Sequence, residues 1–375
     1  MKILFITNHL NGNDGWSRYG LDIVNEIKSD NKIFCLVNKI SERENNYELM
    51  VFDKPFKYLA NPIKSFKTAK AANRTIKDFS PDIIYFVVEP YITILPFLRL
   101  KNEIKVILTV HGTYSYFPNT VKNIVKRTIS WFLFKRSLLK VNKIISVSNF
   151  TKDYLLKNIS NKKFKNKIEN KIEIVTNGVN FNEIKQIVKK DNEIKQILFV
   201  GAIKGRKGLL ESIEALKCYR DNFSDNFVYN IIGEYDENDN YYQKVILKIK
   251  KYQLEKNIFF RGRVSDEKRD EYYKEADLFL MLPVNNGRIF EGFGLVFLEA
   301  NAVGIPCVGS NDSGSREAIL DEVTGYVVDP NKESEIADEV DKVLNKKLIK
   351  SDDCIKWAKE NNIKNKVNKI FENDI

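Results

Sequence analysis

The chain has 375 residues, 61 Lys and Arg against 50 Asp and Glu, a formal net charge of +11 and four cysteines. That length accommodates two domains with full cores. Cys35, Cys218, Cys307 and Cys354 lie too far apart for a metal-binding spacing or a disulfide framework, which points to a reducing compartment. The opening run KILFIT is too short for a secretory leader and reads as a strand. The most apolar stretch, 83–100, is broken by Glu89, Pro90 and Pro96 before it reaches a spanning length. Residues 1–185 hold 31 Lys/Arg against 16 Asp/Glu, and the remainder 30 against 34. The basic first half fits either an anionic partner or an ordinary lysine-rich surface.

In chain order, β-branched runs predict strands at 2–7, 33–38, 83–88, 105–110, 143–148 and 171–175. A second series follows at 196–201, 227–232, 257–261, 278–282 and 305–309. Helical patterns separate them, so each series predicts a parallel sheet covered on both faces. The chain is therefore expected to be α/β, with two doubly wound domains facing across a cleft. The expected boundaries are 1–185 and 186–350, with the break in the charged stretch 185–195. Residues 351–375 are expected to form a terminal helix packing back toward the first domain.

Ligands of open parallel sheets bind beyond the carboxyl ends of the strands. His9 and the loop Asn11-Gly12-Asn13-Asp14-Gly15 follow the first strand, Glu89 the third, and His111-Gly112 the fourth. In the second half, AIKGRKG follows 196–201, and Glu291 follows 278–282. Gly201 to Gly208 joins a strand to a helix beginning near Leu209. Its helix-start amides, beside Arg206 and Lys207, suit a diphosphate, and the alternative is a basic turn without a ligand. The 12–15 loop lacks GxGxxG, which disfavours a nicotinamide or flavin enzyme. It reads as a close backbone approach to a ligand or as a plain turn. His111 is either a site residue or a structural histidine. The segment 121–140 mixes Ile124, Val125, Trp131 and Phe132 with Lys126, Arg127, Lys135 and Arg136. Such a helix either lies on an anionic membrane surface or simply covers the sheet.

RIFEGFGLVFLEA, from Arg288 to Ala300, carries the most specific pattern. Residues 295–303 predict an apolar helix stopped by Gly304. Glu299 shares a stripe of that helix with Leu295, Leu298 and Ala302, where a carboxylate needs a polar partner. Glu291 precedes the helix, where outward N–H groups favour anions.

With these residues the chain resembles glycosyltransferase family 4, the retaining sugar-nucleotide transferases of GT-B fold. FVGAIKGRKGLLESIEAL, RGRVSDEKRDEYYKEADLFLMLP, FEGFGLVFLEANAVGIPCV and GYVVDP stand in the family's order, and Glu291 and Glu299 match its Glu-x7-Glu signature. TVHG, SVSNFT and TNGVN match more loosely. The resemblance implies two Rossmann-like domains, the first for the acceptor and the second for the donor. It implies that Glu299 binds ribose hydroxyls, that Glu291 contacts the donor sugar, and that the backbone of Gly292, Phe293, Gly294 and Leu295 holds the phosphate or sugar. Lys207 neutralises the diphosphate. Arg206 substitutes for the arginine that many relatives carry where this chain has Ala202. Arg263 and Val264 lie near the base, Gly15 approaches donor phosphates or acceptor, and His111 lies near the reacting sugar. His111, Glu291 and Lys207 are thus the expected catalytic residues.

The implied reaction moves a hexose-type sugar from a UDP- or GDP-linked donor to a glycan or lipid-linked acceptor in cell-surface polysaccharide assembly. No cofactor is expected, and no Asp-x-Asp occurs to bind a metal. The expected location is cytoplasmic, peripheral on the inner face of the plasma membrane. The rivals are a sugar-nucleotide epimerase or hydrolase of the same fold, and a non-catalytic nucleotide-sugar binder. A nucleic-acid partner is not expected, because the aromatic spacing of an RNA-binding motif is absent.

Overall fold

The computed structural model describes all residues except 13, 39–47, 59–60, 113–122, 181–192, 288 and 373–375. Asn13 of the glycine loop, residues 121–122 of the basic segment, Arg288 and most of the expected break at 185–195 lie outside the described residues. The chain divides into two compact units, Met1–Asn177 with Ile363–Ile375, and Gly178–Asn362.

The first unit is built on a seven-stranded sheet of order β3-β2-β1-β4-β5-β6-β7. Its strands are β1 (Lys2–Ile6), β2 (Lys32–Val37), β3 (Glu48–Val51), β4 (Ile83–Phe86), β5 (Lys105–Val110), β6 (Lys143–Ser146) and β7 (Ile172–Ile174). Every neighbouring pair is parallel. The central strand β4 (IIYF) is buried along its whole length, as a strand covered on both faces must be. The helix Ile363–Phe371 belongs to this unit and brings Phe371 edge-on to Tyr85, with ring centroids 6.0 Å apart.

The second unit is built on a six-stranded parallel sheet of order β10-β9-β8-β11-β12-β13. Its strands are β8 (Lys195–Val200), β9 (Phe227–Ile232), β10 (Ile258–Gly262), β11 (Leu278–Leu280), β12 (Cys307–Ser310) and β13 (Gly325–Val328). The predicted helix at 295–303 spans Leu295–Ala302, preceded by Gly294 at φ +77°.

Eleven of the thirteen strands among the described residues coincide with predicted runs. The other two, β3 and β13, are four-residue strands, each at an edge of its sheet. β13 forms because Gly325 packs against β12, where a Cβ would lie 1.9 Å from the Cys307 carbonyl oxygen. The single terminal helix expected over 351–375 is two helices. Ser351–Glu360 stays in the second unit, where Trp357 Nε1 donates to the Ala318 carbonyl at 2.9 Å, and Ile363–Phe371 joins the first. Asn361 and Asn362 interrupt the helical run between them. Among the described residues no helix is long and apolar enough to cross a membrane.

Candidate functional site

The strand order of the second unit reverses at the β8/β11 pair. From there β9 and β10 extend to one side, and β12 and β13 to the other. Connections leaving these two carboxyl ends diverge and open a crevice between them. The β8 connection supplies Arg206 and Lys207 from a 3-10 turn, Gly205–Lys207. The β11 connection supplies Glu291. Val284 N–H donates to the Arg206 carbonyl at 3.1 Å and ties the two together. Gly208 makes that approach possible. It sits at φ +69°, and a Cβ on it would lie 1.5 Å from the Leu282 carbonyl oxygen.

Lys207 Nζ lies 2.9 Å from Glu291 Oε2, and Arg206 Nη1 donates to the same oxygen. Lys207 is only 8% exposed. Burial works to raise the Glu291 pKa, but the facing charges of Lys207 and Arg206 outweigh it and hold the carboxyl at about 2. Burial likewise pulls Lys207 down, and Glu291 opposes that pull. Two cations against one carboxylate leave surplus positive charge at the crevice.

The backbone after Glu291 turns directly into the helix Leu295–Ala302. Gly294 caps it without any side-chain hydrogen bond, so its first amides point outward. Phe293 is buried beneath this turn. Gly314 N–H donates to the Glu291 carbonyl at 2.9 Å and anchors it. Glu299 is half-buried on the helix and accepts from Tyr273 Oη at 3.0 Å. Burial works against the Arg269 guanidinium, but Glu299 and Tyr273 outweigh it and favour the charge. Arg269 and Tyr273 stand four residues apart on the helix Asp266–Glu275 and share a face. Arg263 and Val264 link β10 to that helix, the first exposed and the second half-buried.

One expectation is corrected. The amides at the start of the helix Leu209–Asn222 do not wait for a diphosphate. Tyr241 Oη accepts from Leu209 N–H at 3.1 Å and from Leu210 N–H at 3.3 Å. The outward, uncapped helix start is the one at Leu295. Sequence reasoning missed Tyr241, Tyr273 and Arg269. The i,i+4 pairing of Arg269 and Tyr273 was the readable signal for two of them, whereas Tyr241 acts across 31 and 32 positions of chain.

The first unit carries its own candidates. His111 follows β5, and its Nε2 lies 2.9 Å from the Val87 carbonyl. A carbonyl only accepts, so Nε2 carries the proton. Burial lowers the ring pKa to about 4, which makes it neutral at pH 7 with Nδ1 as an acceptor. His111 N–H donates to Glu89 Oε1 at 2.5 Å, and burial raises Glu89 to about 7. Tyr19 packs edge-on to the imidazole at 4.8 Å. Gly15 begins the helix Gly15–Ile27 with open space where a Cβ would stand. The Trp16 and Ser17 amides there already bind Asp14, which also pairs with His9 at 2.9 Å. Among the described residues no group of three His, Cys, Asp or Glu side chains is placed to hold a metal ion.

Comparison with known proteins matches two family profiles. "Glycosyltransferase Family 4" covers residues 32–183, and "Glycosyl transferases group 1" covers residues 180–361. An uncharacterised glycosyltransferase of Methanocaldococcus jannaschii is 25% identical over 326 residues, 84% of this chain and 81% of the relative. The UDP-Gal:alpha-D-GlcNAc-diphosphoundecaprenol alpha-1,3-galactosyltransferase of Escherichia coli is 25% identical over 284 residues, 72% of this chain and 66% of the relative. The solved structure of Anabaena HepE in complex with UDP and glucose superposes with a TM-score of 0.76 at 17% identity, covering 100% of this chain and 99% of that one. That last likeness shows the fold, GT-B.

Proposed function

The chain belongs to glycosyltransferase family 4, and from that premise we propose that it is a retaining hexosyltransferase. It moves a hexose-type sugar from a UDP- or GDP-linked donor to a glycan or lipid-linked acceptor in cell-surface polysaccharide assembly. The observation that carries this reading is the convergence of Arg206 and a buried Lys207 at the β8/β11 crevice, beside the uncapped helix start at Leu295. A lipid-diphosphate-linked acceptor in the name of the E. coli relative and UDP with glucose in the HepE complex support the substrate classes.

In this proposal Lys207 and Arg206 neutralise the diphosphate, whose charge grows as the sugar leaves, and fixed cations in a water-poor site stabilise that charge. The backbone of Gly292, Phe293, Gly294 and Leu295 holds phosphate or sugar oxygens. Glu291 grips donor-sugar hydroxyls. Glu299 accepts ribose hydroxyls, since a carboxylate has about four lone-pair sites and Tyr273 is hydrogen-bonded to one oxygen. Arg263 and Val264 face the base, and Gly15 lets a phosphate or acceptor approach the backbone. His111 presents neutral Nδ1 to a sugar hydroxyl. The acceptor oxygen bonds to the anomeric carbon on the face from which the diphosphate departs. The acceptor proton passes to the leaving phosphate oxygen, so no enzymic nucleophile is needed. Charge neutralisation is assigned to these cations rather than to a metal.

The helix Ile124–Lys140 supports a membrane partner. Its buried face, Leu133, Phe134 and Leu138, lies on the side that packs against the 3-10 segment Glu89–Phe97, where Ser137 Oγ donates to the Ile92 carbonyl at 2.8 Å, while Ile124, Val125 and Phe132 are exposed among Lys126, Arg127, Lys135 and Arg136. We assign it to the anionic inner surface of the plasma membrane. The catalytic reading is tested by thermal shift with UDP, GDP and their sugars, because a ligand of the folded state raises the midpoint. Failure of all four to raise it overturns the reading.

A further inference from the structure

The cations assigned to the diphosphate already hold a carboxylate. Arg206 and Lys207 both direct charge-assisted bonds to Oε2 of Glu291, the side chain assigned to the donor sugar. The Lys207 and Glu291 side chains are 10% and 14% exposed. Neither is solvated well enough to lose its partner freely, because an unpaired buried charge is strongly unfavourable. A diphosphate entering the crevice is a second anion for the same donors. As it takes Lys207, Glu291 must turn to other donors or face the phosphates as a like charge. Hydroxyl groups of an attached sugar are donors of the required kind. A free nucleoside diphosphate brings none to that position.

We infer that Glu291 determines specificity for the intact sugar diphosphate over the nucleoside diphosphate product. It substitutes for the diphosphate in the empty crevice, releases the cations to an incoming donor, and is satisfied again only by hydroxyls of the attached sugar. After transfer those hydroxyls leave with the product sugar, and the carboxylate then competes with the remaining diphosphate and favours its release. The inference rests on the reading of this crevice as a sugar-diphosphate site.

Isothermal titration of the full chain with UDP, GDP, UDP-glucose and GDP-mannose tests it, using Glu291→Gln and Lys207→Ala. Glu291→Gln is expected to bind the preferred free diphosphate about tenfold more tightly than the parent, the effect of one released charge-assisted bond. Binding of the corresponding sugar diphosphate is not expected to tighten, so discrimination between the two collapses. Lys207→Ala is expected to weaken both. If Lys207→Ala weakens them while Glu291→Gln leaves free diphosphate binding unchanged or weaker, Glu291 does not compete for the cations. The inference then falls, and the site reading stands. If Lys207→Ala leaves binding intact, or no diphosphate binds the parent, the site reading itself fails and takes the inference with it. A neutral amide in place of the carboxylate leaves the buried Lys207 without its facing charge, so the unliganded Glu291→Gln protein is expected to melt lower and to gain more from UDP or GDP than the parent. Glu291→Ser, with the same expected tightening, decides the matter if the glutamine variant does not fold.

Discussion

The strand ends of the two units solve the same problem with opposite electrostatics. In the second unit, burial is the largest single influence on Glu291, but the charges of Lys207 and Arg206 together outweigh it and hold the carboxyl at about 2. In the first, Glu89 and His111 are buried, and burial is the largest influence on each. It pushes Glu89 up to about 7 and His111 down to about 4. One crevice keeps its ionisable groups charged, and the other drives its imidazole neutral. The same doubly wound architecture thus holds paired charges at the strand ends of one unit and a neutral imidazole at those of the other. Burial alone does not decide which, since Glu89 and Glu291 are both poorly exposed and move in opposite directions. The charges opposite them decide.

The largest expected effect breaks the charged side of this contrast. Lys207→Ala should lower turnover by about 100-fold to 1000-fold in steady-state assays with the preferred donor, the range for removing a preorganised charge-stabilising group. Turnover near that of the parent would show that the crevice does not carry the leaving charge. Gly208→Ala tests the scaffold under the same residues. The left-handed backbone and the 1.5 Å approach to Leu282 O predict a loss of about 3 kcal/mol or more in denaturant unfolding.

The neutral side is sharpened by pH. Glu89 has a folded pKa of about 7 against an ordinary 4.5. Its contribution is full below pH 4.5 and lost as pH rises through 7. His111 has a folded pKa of about 4 against 6.5. Its contribution is present above pH 6.5 and lost as pH falls through 4. Between about pH 4.5 and 6.5 the two oppose each other. Glu89→Gln should therefore expose an acid-side fall in melting temperature of roughly 5 °C relative to the parent profile, and His111→Gln a rise toward acid of similar size. Parallel melting profiles for all three proteins would show that these groups are not neutral in the fold. The smallest effect concerns the membrane. Phe132→Ser should weaken binding to phosphatidylglycerol vesicles about threefold to tenfold and leave donor binding in solution unchanged. Equal vesicle binding by the variant removes that helix from the proposal.

Much of this was legible from residues alone. The apolar runs at 2–7, 83–88 and 196–201 have to be buried strands. The strand-end rule then placed Arg206, Lys207, Glu291, Glu89 and His111 at the carboxyl edges of the two sheets without naming their partners. The eight-residue spacing of Glu291 and Glu299 is local, and one turn plus one helix converts it into two carboxylates facing different surroundings. Tertiary structure alone decided those surroundings. Arg206 meets Glu291 across 85 positions of chain because β8 and β11 are neighbours in the sheet, and strand order is a long-range choice that no local pattern encodes. The same holds for Tyr241, which takes the Leu209 and Leu210 amides, and for Tyr273, which answers Glu299. The sequence determined which groups reach the crevices. Packing determined which are charged there, because a pKa is set by burial and by the charges opposite, and both exist only once distant segments have met.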